Sequence, residues 1–194
     1  MNKRITIIHA LLIIMVMISQ VFIPIGNVLA EDATESIQFN DFYMYNAVLN
    51  LIHDKVTNTN EENLTITISK DNLLGITSLD LEDELITDIT GIEKFTNLHE
   101  LNLSNNKIED MSLLARLKNL TKLDVSHNSF EDATFLESLT ALKDLNIGYN
   151  SVLTMESLQG LVNIEKLDIS WDPSKYILRT TWSFTELILL QLKT

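Results

Sequence analysis

A chain of 194 residues that sets 14 Lys and Arg against 27 Asp and Glu carries a formal charge of −13 and is long enough for one domain. So acidic a chain is poorly suited to nucleic acid or to anionic membrane surfaces. Having no cysteine, it excludes a disulfide framework, a thiolate nucleophile and a cysteine-based metal site.

The first 30 residues, MNKRITIIHALLIIMVMISQVFIPIGNVLA, run from Lys3 and Arg4 through an apolar stretch to Val28-Leu29-Ala30, ahead of Glu31. This is the layout of a secretory signal peptide that ends on small residues. An uncleaved anchor is the alternative, since the run from Ile5 to Ile25 approaches the ~20 residues a spanning helix needs. Pro24, Gly26 and Asn27 favour cleavage. Removing residues 1–30 takes away Lys3 and Arg4 but no acid, so the exported chain would hold 12 basic against 27 acidic side chains.

Residues 31–75 predict a helix from about Asp41 to Lys55, N-capped by Asn40 or Asp41, with Phe42, Val48, Leu49 and Ile52 available for packing. NLTITIS, 63–69, alternates as a strand should.

From residue 76 the chain repeats itself every 22 residues, as in LHELNLSNNKIEDMSLLARLKN followed by LTKLDVSHNSFEDATFLESLTA. Four full repeats and a partial fifth occupy 76–172. Their first positions are Ile76, Leu98, Leu120, Leu142 and Ile164; the fourth are Leu79, Leu101, Leu123, Leu145 and Leu167; the sixth are Leu81, Leu103, Val125, Ile147 and Ile169. Apolar residues at four and six around a polar fifth predict a short strand with one buried face in each repeat. Apolar columns also stand at positions 11, 14, 17 and 20. A spacing of three suits a 3₁₀-like return leg. Asn106, Asn128 and Asn150 fill position nine, where a stacked column of amides can satisfy backbone groups left unpaired as the chain turns. One such repeat cannot bury enough to fold, so the units must stack as a solenoid with capped ends. The ladder begins late, with Glu84 at the ninth place of the first repeat, and stops at Asp172-Pro173. Residues 173–194 read either as a short cap that lays Tyr176, Ile177, Trp182, Phe184 and 187–190 over the open core or as the remnant of a truncated reading frame.

The LxxLxLxxNxI pattern and its 22-residue step resemble the leucine-rich repeats of the internalin family of Gram-positive bacterial surface proteins, and residues 37–75 resemble that family's N-terminal cap. The resemblance implies an α/β leucine-rich-repeat solenoid, right-handed and curved, with a parallel β-sheet on its concave face, a 3₁₀-like convex side and a small helical N-terminal cap. It also implies a secreted or surface-displayed bacterial adhesin or host-interaction factor. The family's usual immunoglobulin-like continuation and LPxTG-type sorting signal are not found in this sequence.

If positions four and six point inward, positions three, five and seven point outward. Column five alternates Asp and Asn: Asp80, Asn102, Asp124, Asn146, Asp168. Column three alternates in sign, Ser78, Glu100, Lys122, Asp144, Lys166, and predicts cross-strand pairs. Both columns read most simply as a solvated sheet surface. Column eight runs Asp83, Asn105, His127, Tyr149, Trp171, and its rings lie where the buried pattern asks for no particular residue. Tyr and Trp on a rigid exposed surface are frequent interface anchors. The plainer reading has Trp171 folding under the tail and Tyr149 covering a coil edge. The candidate ligand-binding residues are therefore His127, Tyr149 and Trp171, with Glu100, Lys122, Asp144 and Lys166 beside them.

The sequence has no HExxH, GxSxG, phosphate-cradling glycine loop or EF-hand spacing, and Glu109-Asp110 and Glu131-Asp132 recur only because their turn recurs. No enzyme, cofactor or metal is expected. The expected function is rigid display of a preformed surface to a protein ligand, a host-cell surface receptor being the kind the resemblance implies. The alternative is a structural protein of the cell envelope or a truncated relic without a partner. No nucleic acid or small-molecule substrate is expected, and membrane contact only through an uncleaved signal segment.

Overall fold

The computed structural model describes residues 34–152 and 156–170. The expected signal peptide, Trp171 and the 173–194 tail lie outside the described residues.

The first element is strand β1 (Thr34–Gln38), followed by a helix at Phe42–Ile52, strands β2 (Val56–Asn60) and β3 (Thr65–Ser69), and a short helix at Lys70–Leu74. The strands form a sheet in the order β1-β3-β2, with β2 and β3 antiparallel and an irregularity between Val56 and Asn58. The first helix starts where it does because Asp41 is extended and its Oδ1 accepts the N–H groups of Tyr43 (2.7 Å) and Met44 (3.0 Å). Its end falls at Ile52, short of the expected Lys55. Met44, Tyr45, Ala47, Val48 and Ile52 form its buried side. Phe42, expected to pack, is exposed: at 100° per residue the stripe of Met44, Val48 and Ile52 lies on the far side of the helix. Alternating Ile66 and Ile68 bury the inner face of β3 as the sequence predicts. Strand β2 was not legible, because VTNTN is nearly all exposed and shows no apolar alternation.

The repeats supply strands β4 (Ser78–Asp80), β5 (Glu100–Asn102), β6 (Lys122–Asp124), β7 (Asp144–Asn146) and β8 (Lys166–Asp168). They pair in parallel and in sequence order, each residue opposite the one 22 further on, so that Leu79, Leu101, Leu123, Leu145 and Leu167 form one row. The return legs carry 3₁₀ turns at Ile92–Lys94, Ser112–Arg116, Thr134–Ser138 and Glu156–Leu158. Asp110 and Asp132 accept the N–H groups of Ser112 and Thr134 ahead of two of these turns, both at 2.8 Å, which gives the recurring acidic pairs a structural cause. The Asp132 carboxyl is held below its ordinary value by the N–H and then the hydroxyl of Thr134. The apolar columns meet in one continuous core from Ile37 to Leu161, against which Ile164, Leu167 and Ile169 of the last described coil pack half-buried.

The position-nine ladder forms as expected. Asn106 Oδ1 accepts from the N–H groups of Glu84 (3.2 Å) and Ile86 (2.9 Å), while its Nδ2 donates to the carbonyls of Leu81, Leu103 and Ser104. Asn128 repeats this one coil on, accepting from Ile108 N (3.0 Å) and donating to Leu103, Val125 and Ser126. A second ladder, not among the sequence expectations, runs along the last position of the repeats. Asn97, Asn119 and Asn163, at the last position of their repeats, donate to Leu74 O (2.6 Å), Thr96 O (3.0 Å) and Thr140 O (2.9 Å) of the preceding coil. Ala141 interrupts this column.

Asp41 joins the first helix to the first repeat. Its Oδ2 accepts Thr87 N (2.9 Å), Thr87 Oγ1 (2.7 Å) and Asp88 N (3.3 Å). Gly91 lets the chain pass close beside the same region: its φ is 102°, and a Cβ there would sit 2.8 Å from Phe39 Cδ1.

Candidate functional site

The outward face of β4–β8 is built less freely than the alternation of its letters suggests. In column five, Asn102 Oδ1 and Asp124 Oδ1 each accept from the N–H and hydroxyl of the serine two residues on, and Asn146 and Asp168 accept from Gly148 N and Ser170 N. These side chains close the turn that leaves each strand. Asn146 Nδ2 also donates to Asp124 Oδ2 at 3.0 Å. The Asp/Asn alternation is thus a hydrogen-bonded rung as well as a way of spacing charge, and the column is not merely solvated. The Ser170 hydroxyl and N–H hold the Asp168 carboxyl below its ordinary value. In the three middle coils position seven does not point freely outward either, whereas Glu82 and Ser170 at the two ends are exposed. Ser104, Ser126 and Gly148 are buried, because the chain has already begun to turn under column five.

Column eight has a constraint that the sequence concealed. Asp83, Asn105, His127 and Tyr149 all adopt left-handed backbone, with φ of 58°, 58°, 53° and 56°. Each N–H donates to the position-seven carbonyl of the next coil, from Asp83 N to Ser104 O (3.1 Å) through Tyr149 N to Ser170 O (2.6 Å). The column is therefore selected for residues that tolerate this conformation, and Asp, Asn and His are among the best of them. Tyrosine is not, so the backbone does not explain Tyr149. Because the ladder sets neighbouring coils one strand spacing apart, the rings of His127 and Tyr149 stack, with centroids 4.2 Å apart and planes 8° from parallel. Both are exposed, Tyr149 by 42%. Asn105 turns the other way, its Nδ2 donating to Glu82 Oε1 at 3.0 Å.

Among the charged candidates, Lys166 Nζ lies 3.6 Å from Asp144 Oδ2. Of the described ion pairs, none joins Glu100 to Lys122 or Lys122 to Asp144, so the alternation of sign yields one bridge instead of a continuous ladder. Column three sits at the start of each strand and column eight beyond its end, which makes the candidates two separate stripes. The structure brings His127 to Tyr149 and Asp144 to Lys166; Glu100 and Lys122 lie opposite each other on neighbouring strands without a described ion pair, and Trp171 lies outside the described residues. Among the described residues no three His, Asp or Glu side chains gather in a way that could hold a metal ion, and no helix is long and apolar enough to cross a membrane.

A family pattern described as leucine-rich repeats, two copies, matches residues 96–139. Among solved structures, an internalin (inlF) from Listeria monocytogenes superposes with a TM-score of 0.60 at 28% identity, over 68% of this chain and 37% of its own. The functional domain of InlJ from Listeria monocytogenes, which includes a cysteine ladder, gives a TM-score of 0.53 at 26% identity, over 71% of this chain and 34% of its own. The present chain spans little more than a third of the length of these two structures. No curated protein matches it by sequence.

Proposed function

We propose that this chain, an internalin-like leucine-rich-repeat protein built for protein–protein interaction, is exported by residues 1–30 and presents its strand face to a host-cell surface protein as an adhesin or host-interaction factor. What carries the reading is the stacked pair of His127 and Tyr149. Tyr149 keeps an exposed aromatic ring on a backbone that disfavours it, and strain held at one surface position is a pointer to function. The rest of the fold supports this use. Two amide ladders and a dry core hold the strands in place, so little ordering cost falls on the solenoid when a ligand docks. The rings, with Trp171 as the next member of their column, would supply the apolar anchors. Glu100, Lys122, Asp144 and Lys166 would set orientation at the polar rim. Residues 31–75 would act as the N-terminal cap and 76–172 as the display surface.

The test is an array of human and animal cell-surface ectodomains probed with the purified chain, followed by titration of any ectodomain it retains. Expected is a ligand whose affinity falls at least about tenfold, or ~1.4 kcal/mol, when Tyr149→Asn removes the ring and keeps a residue suited to left-handed backbone. A ligand that binds wild type and Tyr149→Asn equally would refute the site, and a complete absence of ectodomain binding would refute the host-directed role.

A further inference from the structure

The first helix shows water an aromatic pair. Phe42 and Tyr43 are 61% and 50% exposed and meet edge to face with centroids 6.0 Å apart. With rings of this kind contributing 150–250 Å² each, on the order of 200 Å² of aromatic surface remains in water. The Asp41 clamp fixes this turn against Thr87 and Asp88. Two residues before Thr87 stands Leu85, 45% exposed with φ of 59°. The conformation there has a structural cause, since it lets the N–H groups of Glu84 and Ile86 converge on Asn106 Oδ1. The choice of leucine has none: a bulky side chain is disfavoured in left-handed backbone, where Asn or Gly would fit. Glu82, Asp83 and Glu84, all exposed, lead directly into Leu85. No Lys or Arg occurs at 31–54 or 71–93, so both segments that form this surface are acidic or neutral.

We propose that Phe42, Tyr43 and Leu85 form a second protein-docking surface, at the cap and first repeat and distinct from the His127–Tyr149 pair, whose partner is a segment that places leucine-like side chains between lysines or arginines. The apolar residues would enter against the rings and Leu85, and the cations would face the Glu82–Glu84 carboxylates, the complementarity that an anionic border selects.

The probe is a short fluorescent helical peptide of leucine and lysine, titrated against the purified chain beside a leucine and glutamate peptide and a serine and lysine peptide. The leucine and lysine peptide should bind tightest and weaken with salt. Phe42→Ser combined with Tyr43→Ser, and separately Leu85→Asn, should each weaken it about tenfold. Leu85→Asn should do so with the urea midpoint unchanged or raised, so lost binding cannot be lost folding. Tyr149→Asn should leave this peptide's affinity untouched, which keeps the proposal distinguishable from the strand-face reading. Equal affinity for wild type and both variants would mean capture by net charge alone and would overturn it, as would equal binding of the leucine and glutamate peptide.

Discussion

Replacing Asn128 with alanine tests the amide ladder at a fully packed rung. The Asn128 side chain accepts one hydrogen bond, from Ile108 N, and donates three, to the carbonyls of Leu103, Val125 and Ser126. The losses are unequal. Leu103 O keeps the Asn106 amide, Val125 O keeps the Asn150 amide, and Ser126 O keeps Asn105 N–H. Ile108 N–H keeps nothing and lies at a residue with no exposure to water. An orphaned buried donor costs about 1–3 kcal/mol, and three carbonyls that each lose a second donor add roughly 0.5 kcal/mol apiece. The expected loss is therefore about 3 kcal/mol, a large share of the ~5–15 kcal/mol that holds a domain together. Asn119→Ala, at an exposed rung with one bond to Thr96 O, is the control and should cost below about 1 kcal/mol because water replaces the protein. Urea unfolding followed by circular dichroism, with the slope unchanged between variants, measures both. If Asn128→Ala proved no more costly than Asn119→Ala, the claim that the ladder serves buried backbone would be wrong.

The Asp41 carboxyl should make stability depend on acid. Burial pushes it up, but the Thr87 hydroxyl and the N–H groups of Met44, Thr87 and Asp88 outweigh that and hold it below the usual carboxylate range. A depressed native value means the contribution is complete above the unfolded value of about 4 and is lost as pH falls through the lower native one. The gap in unfolding midpoint between wild type and Asp41→Asn should accordingly be widest near neutrality and shrink below about pH 4; a gap that widened on acidification would contradict the assignment. Ala141→Asn should restore the missing rung of the second ladder by donating to Lys118 O as its neighbours do one coil away, raising stability by up to about 1 kcal/mol in the same urea assay. Tyr149→Asn exchanges the stacking of two rings, about 0.5–1.5 kcal/mol, for relief of a left-handed tyrosine, about 1–2 kcal/mol. Its net change should stay within about 1 kcal/mol, and a loss above ~2 kcal/mol would make Tyr149 a structural residue.

Most of the solenoid was legible because its signal is redundant. Each buried column is written four or five times at a fixed step, so the row from Leu79 to Leu167, the 3₁₀ legs and the position-nine amides could be read without coordinates. The column of Asn97, Asn119 and Asn163 is written in the same way but carries a weaker signal, since one alanine breaks it and two of its three members are exposed. The N-terminal region is written only once. There Asp41 was among the two caps expected, but the exposure of Phe42 and the presence of β2 depended on which side of a single helix met the sheet.

The candidate site marks the boundary between what sequence determines and what folding decides. Sequence determined that rings occupy three successive positions of column eight, because order along the chain is all that statement needs. Only the tertiary structure decided that Asp83, Asn105, His127 and Tyr149 are left-handed, that His127 and Tyr149 lie face to face, and that Asp144 reaches Lys166 while Lys122 reaches neither neighbour. Backbone sign and ring contact arise from hydrogen bonds between coils, and a bond between residues 21 or 22 apart has no local trace in the chain that makes it.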